Sequence, residues 1–209
     1  MTWPVVSNSA MPPPDPWWRY TQGCATALVG GVEPPTVTVY GPIIDDGERP
    51  RLCTTAGISR LVCGDGSYQR SSLLLLGTPG PTLGLLAAQG LVNHRRRQQA
   101  RRDQIPAWRL HRLGTVIVTD QRIMCSGIDG TLLDFWFGAV TEFYPDLASR
   151  AVVLAFSEQC QPLRIDGPAA PAIALWIAVG LYGDRWVEDQ RLYPLTSGAL
   201  RHRPAVRPL

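Results

Sequence analysis

Short runs of apolar residues, separated by turn residues, fill the second half of the chain. Residues 114–119 and 122–125 are two such runs, and Asp120-Gln121 lies between them as a tight turn. In residues 151–156, large side chains recur at every second position, which suits a strand with one buried face. This pattern predicts an antiparallel β-sheet. Its other predicted strands are residues 131–137, 140–144 and 162–165.

Two more short strands are predicted upstream, at residues 51–55 and 59–63, with Gly57 separating them. Gly64-Asp-Gly66 then favours a turn. Residues 37–40, Val-Thr-Val-Tyr, have the composition of a further short strand.

A long helix is predicted at residues 82–104, apolar up to Val92 and basic afterwards. The stretch 71–93 carries no charged residue, so a membrane span has to be considered. Gly77-Thr-Pro-Gly-Pro81 breaks any helix in the first half of that stretch, and the apolar part that remains is too short to cross a bilayer. A helix buried within the protein is therefore the preferred interpretation.

A second helix is predicted at residues 169–182, with Asp166-Gly-Pro168 as its start and Gly183 as its end. This helix has no charged side chain and is apolar on all sides, so both of its faces must be covered. We expect the β-structure to cover one face and residues 82–93 to cover the other. If they do not, that face is a surface for a homodimer or another partner.

The two ends of the chain differ from the middle. Residues 1–45 are rich in proline, which removes backbone donors, and we expect a largely disordered arm there. Residues 191–209 predict a basic flexible tail, which leaves residues 46–190 as the folded domain. The arm contains candidate docking residues, for the chain's own domain (the preferred alternative) or for a partner: Trp17, Trp18 and Tyr20.

The formal net charge of +3 comes from twenty arginines and seventeen acidic residues, without any lysine. This excess is too small to indicate a nucleic-acid-binding protein by itself. The five cysteines are odd in number and lack the close spacing of a zinc knuckle or a redox motif, so we expect free thiols in a reducing cytoplasm. The first residues lack a basic region followed by an apolar core, and we expect no secretory signal.

Arginines cluster towards the end of the predicted helix 82–104. Cations suit that position because the last carbonyl groups of a helix make its end negative. A solvated helix end is the simplest interpretation, and contact with the phosphates of lipids or nucleic acids is the functional alternative. The candidate contact residues are Arg95, Arg96, Arg97, Arg101 and Arg102.

No combination of residues predicts catalysis, a cofactor or a metal site. The chain has no glycine-rich phosphate loop before a helix and no Gly-x-Ser-x-Gly. Asp129 and Asp134 are interpreted as a turn residue and a solvent-facing strand residue. Asp120 and Arg122 are expected to organise the turn between the first two strands through local hydrogen bonds. None of the histidines has a metal-ligand spacing to Cys, Asp or Glu: His94, His111 and His202.

The order of elements over residues 110–183 resembles that of bacterial PH-like and GRAM-like domains. In those domains a strand ends in Thr-Asp-x-Arg, as at Thr119–Arg122, and an aliphatic strand follows. A Gly turn, here Asp129-Gly130, then precedes an aromatic strand, here Phe135-Trp-Phe137. A Val or Ile strand and a closing helix from Pro168 complete the resemblance.

The resemblance implies an α+β fold, a PH-like antiparallel β-barrel or sandwich with a closing C-terminal helix. Helix 82–104 is then an insertion, apolar at first and basic at its end. It implies no catalytic residue. The longer run of residues 65–146 also resembles uncharacterised actinobacterial and actinophage proteins.

These observations favour a noncatalytic PH-like binding or adaptor module that recognises a protein or peptide partner. The alternative is peripheral binding to anionic membrane lipids through the arginine cluster. Nucleic-acid binding through the same arginines and Arg201-His-Arg203 is less supported, because no aromatic residues alternate with them as a stacking platform requires.

Overall fold

The computed structural model describes residues 15–62, 106–127, 129–157 and 160–197. The chain divides into two compact units, one formed by residues 1–60 with 110–209 and the other by residues 61–109. The predicted helix 82–104 and the uncharged stretch 71–93 lie outside the described residues.

Three α-helices and seven β-strands form the regular structure of the described residues. In chain order they are α1 (Pro16–Val29), β1 (Pro50–Val62), β2 (Ala107–Thr119), β3 (Arg122–Ser126), β4 (Leu132–Trp136), β5 (Val140–Asp146), β6 (Ala151–Phe156), β7 (Leu163–Asp166), α2 (Ala170–Tyr182) and α3 (Tyr193–Thr196). The strands form one antiparallel sheet in the order β4-β3-β2-β1-β7-β6-β5. The prediction of an α+β fold with an antiparallel sheet is confirmed.

The hairpin predicted around Asp120-Gln121 is formed by β2 and β3. Val116 lies opposite Cys125, and Val118 lies opposite Ile123. Both faces of this hairpin are buried, since consecutive side chains of β2 and of β3 are shielded from solvent. The continuous apolar runs of these two strands therefore match strands that are buried on both faces.

The expected break at Gly57 does not occur, because β1 is a single strand that runs through it. Gly57 lies opposite Asp166 on β7. A Cβ atom at this position would overlap the Asp166 carboxylate and lie 2.8 Å from His111 Cε1. The glycine therefore serves close packing between side chains rather than a turn.

Helix α2 is the centre of the core. Every residue from Ala170 to Ala178 is buried, and the helix packs against β3, β5 and β6. It begins one residue later than expected, and Pro171 rather than Pro168 lies in its first turn. Gly183, at φ +56°, ends it as predicted and donates its N–H to the Val179 carbonyl.

Helix α1 packs on α2 and overturns one sequence prediction. The expected disordered arm is wrong for residues 16–29, where Trp18 is only 4% exposed in the same core as Trp176. The cover for the second face of α2 therefore includes α1, whereas the expected cover, residues 82–93, lies outside the described residues. The prolines did not prevent this helix because Pro16 occupies its first turn, where a missing N–H costs nothing.

The folded part also extends beyond residue 190, where a flexible tail was expected to begin. Leu192 and Leu195 are buried, on a short 3-10 turn and on α3. The described chain continues to Ser197, so the predicted boundary is wrong by at least seven residues. Leu192 and Leu195 are spaced by three residues, but Arg191 and Pro194 beside them made this region resemble a polar tail in the sequence.

Candidate functional site

The three aromatic residues singled out at the start of α1 face in different directions. Trp18 lies in the core, whereas Trp17 and Tyr20 lie at the surface with ring centroids 5.8 Å apart and planes at 86°. Neighbouring helix residues point about 100° apart, which explains how two adjacent tryptophans separate in this way. Trp18 thus docks on its own domain, and Tyr20 stays 40% exposed.

An open groove of about 510 Å³ lies beside Trp17 and Tyr20, and we call it the aromatic groove. This volume falls within the usual range of ligand-binding pockets. The start of α1, an irregular segment near residue 37 and strand β1 form its walls. The lining residues are Pro16, Trp17, Tyr20, Val37, Thr38, Leu52 and Cys53.

The segment that carries Val37 is irregular, so the strand expected at residues 37–40 is wrong. It is held beside β1 by the Val37 N–H, which donates to the Pro50 carbonyl at 2.9 Å. Glu33 adds a second tether, since it accepts hydrogen bonds from Arg51 and, at 2.8 Å, from Arg49. Arg51 and then Arg49 hold the pKa of Glu33 below its ordinary value.

The other wall of the groove is anchored where α1 begins. Asp15 caps the helix, and its carboxylate accepts the Trp18 N–H at 2.7 Å. The same carboxylate forms an ion pair with Arg150. The hydrogen bond from Arg150 is the main reason why the pKa of Asp15 is lowered. The first turn of α1, with Pro16 and Trp17, is therefore fixed in position.

A buried ion pair ties the loop before β1 to strand β3. The Arg122 guanidinium donates to both carboxylate oxygens of Glu48, at 2.9 and 2.8 Å, and to the Ile43 carbonyl at 2.7 Å. It also lies 3.2 Å from Asp134 and 4.5 Å from the centroid of the Trp136 ring. Burial alone would raise the pKa of Glu48, but the hydrogen bonds from Arg122 and from the Asp45 N–H lower it.

The expectation that Asp120 and Arg122 organise the hairpin turn is wrong. Thr119 Oγ1 holds the turn, because it accepts from the N–H groups of Gln121 and Arg122 at 3.0 and 2.9 Å. Asp120 instead accepts from the Arg49 N–H at 2.9 Å. Both charged residues of the motif therefore fasten the segment before β1 to the hairpin.

The remaining polar candidates have structural partners. Asp129 accepts from the N–H and the hydroxyl of Thr131, as its predicted turn role requires. Asp134, a partly exposed strand residue, pairs with Arg122. His111 Nδ1 lies 3.0 Å from Ser59 Oγ.

The thiols of the described residues differ in accessibility. Cys24 and Cys125 are buried, and burial raises the pKa of Cys125 to about 12. Cys53 is exposed in the aromatic groove. Within the described ranges, no group of three or more His, Cys, Asp or Glu side chains is placed to hold a metal ion.

The arginine cluster of the sequence prediction, with Arg95, Arg96, Arg97, Arg101 and Arg102, lies outside the described residues. In the part of the chain that the structure describes, no helix is long and apolar enough to cross a membrane.

Sequence reasoning found Trp17 and Tyr20 but missed the opposite wall of the aromatic groove, which is formed by Val37, Thr38, Leu52 and Cys53. These residues share no periodicity in the sequence. The tethers through Glu33 and Pro50 bring them together in the structure.

Comparison with known proteins adds no assignment, since neither a protein-family model nor a curated protein matches the chain.

Proposed function

We propose that this chain is a noncatalytic PH-like binding module, and that the aromatic groove receives a protein or peptide partner. The observation that carries the proposal is the groove itself, with Tyr20 and Cys53 exposed between fixed walls. Exposed apolar surface of this kind marks interaction sites. Aromatic residues such as Trp17 and Tyr20 are also enriched among the residues that dominate binding energy.

The order of the elements supports the PH-like assignment. Seven antiparallel strands precede a buried helix that packs on the sheet, as a barrel or sandwich with a closing helix requires. The Thr-Asp-x-Arg motif lies at the β2–β3 turn, where the resemblance places it. Fold alone does not decide function, so the functional proposal depends on the groove.

The chemistry of the groove favours binding over catalysis. Its seven lining residues include no carboxylate, histidine or arginine. The pKa of Tyr20 is raised to about 12, chiefly by burial, so its phenol stays neutral at physiological pH. The lining supplies apolar surface and neutral hydrogen-bonding groups, which suit recognition of a partner.

A matched pair of substitutions on β1 tests this proposal. Cys53→Arg places a long cationic side chain in the groove, whereas Thr55→Arg adds the same side chain at an exposed position of the same strand outside it. Affinity capture from the native host should recover a partner with the full chain and with Thr55→Arg, but not with Cys53→Arg. Equal recovery with both variants would show that the partner binds elsewhere.

The lipid alternative is tested on the same variants by flotation with phosphatidylserine vesicles. Salt-sensitive flotation of the full chain and of Cys53→Arg alike, without a captured protein, would replace the groove proposal with membrane binding. Deleting residues 1–45 is a poor test, because that deletion also removes α1 and exposes the core.

A further inference from the structure

Two charged groups that border the aromatic groove already have partners. Asp15, next to the lining residue Pro16, is paired with Arg150. Arg51, next to Leu52, is paired with Glu33. An ionic ligand would therefore have to break these pairs to gain an interaction of its own, whereas an uncharged ligand matches the neutral lining as it stands.

The lining also matches a particular backbone conformation. Trp17 and Tyr20 form an edge-to-face pair in the lining, and Val37 and Leu52 supply aliphatic surface. Shallow grooves lined by aromatic rings bind proline-rich segments, which already adopt the extended polyproline II helix and lose little entropy on binding. Such a helix leaves its carbonyl groups without internal donors, and the Thr38 hydroxyl and the Trp17 indole can donate to them.

We infer that the aromatic groove binds an uncharged, proline-rich peptide segment of a partner in the polyproline II conformation. The inference rests on the proposed function and specifies the chemistry of the partner. The seven lining residues carry no charge for a phosphopeptide or an acidic peptide to pair with, so an uncharged segment is the preferred ligand. The aromatic pair distinguishes a proline-rich segment from a flexible glycine-rich one, because only the former offers rigid rings for stacking.

Cys53 provides a direct measurement on the unmodified full chain. Trypsin releases residues 52–60 after Arg51 and Arg60, and this peptide contains Cys53 as its only cysteine. The rate of Cys53 alkylation is measured by mass spectrometry with a decaproline probe, and with glycine-serine and glutamate-rich peptides of equal length. At ten times its dissociation constant, decaproline should slow alkylation about tenfold, since only the free fraction reacts.

Direct binding of labelled decaproline is measured by fluorescence anisotropy. Thr38→Arg should weaken it at least about tenfold, because the new side chain blocks a lining position, while Thr36→Arg on the same segment should leave it unchanged. Circular dichroism and thermal unfolding establish that both variants are folded.

Several outcomes would overturn the inference. The first is equal protection of Cys53 by the acidic or the glycine-serine peptide. The second is decaproline binding that Thr38→Arg does not weaken. The third is self-association that Cys53→Arg abolishes, which would show that a second copy of the chain occupies the groove. Decaproline binding that appears only after removal of residues 1–14 would show that the chain's own N-terminal segment occupies the groove. If decaproline fails but a host partner is still lost with Cys53→Arg, the proposed function stands and only the peptide chemistry is wrong.

Discussion

Arg122 lies almost entirely inside the protein, where an unpaired charge would be costly. Its guanidinium is saturated by Glu48, Asp134 and the Ile43 carbonyl, and it stacks on Trp136. The pair is not evidence of extra stability, because desolvation of both groups offsets much of their attraction. It does make each partner dependent on the other.

Glu48→Gln should therefore lower the free energy of unfolding by about 2–3 kcal/mol at pH 7, since Arg122 keeps its charge inside the protein but loses its main counter-charge. Glu188→Gln is the matched control. It removes a carboxylate paired with Arg185 on the exposed surface, and a change within about 0.5 kcal/mol is expected. Urea unfolding followed by circular dichroism measures both. Equal effects of the two substitutions would contradict the buried role of Glu48.

The same pair gives a pH dependence with a definite sign. The folded-state pKa of Glu48 is below its ordinary value of 4.5, so the carboxylate stabilises the fold above about pH 4.5 and this contribution is lost as the pH falls. The stability difference between the wild type and Glu48→Gln should shrink between pH 7 and pH 3.5. Urea unfolding at the two pH values isolates this effect from the other carboxylates. A difference that stays constant or widens would be inconsistent with a lowered pKa.

At the scale of elements, two glycines in helices should respond in opposite directions to the same substitution. A Cβ atom at Gly180 of α2 would overlap the Phe137 ring, whereas nothing lies within 4 Å of one at Gly23 of α1. Gly180→Ala should destabilise by about 1–3 kcal/mol despite its better helix propensity. Gly23→Ala should stabilise by up to about 1 kcal/mol. Thermal unfolding of the two variants decides, and a gain at both positions would refute the close packing of α2 on Phe137.

The sequence predicted the elements whose residues are set by local chemistry. Two short apolar runs around the Asp120-Gln121 turn predicted the β2–β3 hairpin, and Gly183 predicted the end of α2. What it could not predict depends on residues far apart in the chain. Gly57 resembles a turn residue until Asp166 is placed opposite it, and Arg122 resembles a turn residue until Glu48 is placed beside it. For the same reason only one wall of the aromatic groove was found.

At the scale of the whole molecule, the cover that α1 gives to α2 bears on self-association. Trp176 is 2% exposed, so the helix that suggested a homodimer face offers no apolar surface there. We therefore expect the full chain to sediment as a monomer at about 10 µM, a concentration at which a dimer with a dissociation constant near 1 µM would predominate.

Trp18→Asp provides the contrast for this prediction. It places a charge in the contact between α1 and α2, should loosen α1, and should expose the apolar helix beneath it. Thr26→Asp, on the exposed side of α1, is its matched control and should remain monomeric. Sedimentation velocity together with binding of a hydrophobic dye distinguishes the two variants, since self-association and dye binding should rise only for Trp18→Asp. A wild-type dimer at 10 µM, with α1 intact, would mean that another surface of the molecule drives association, and the groove and the exposed Tyr193 would then be the places to look.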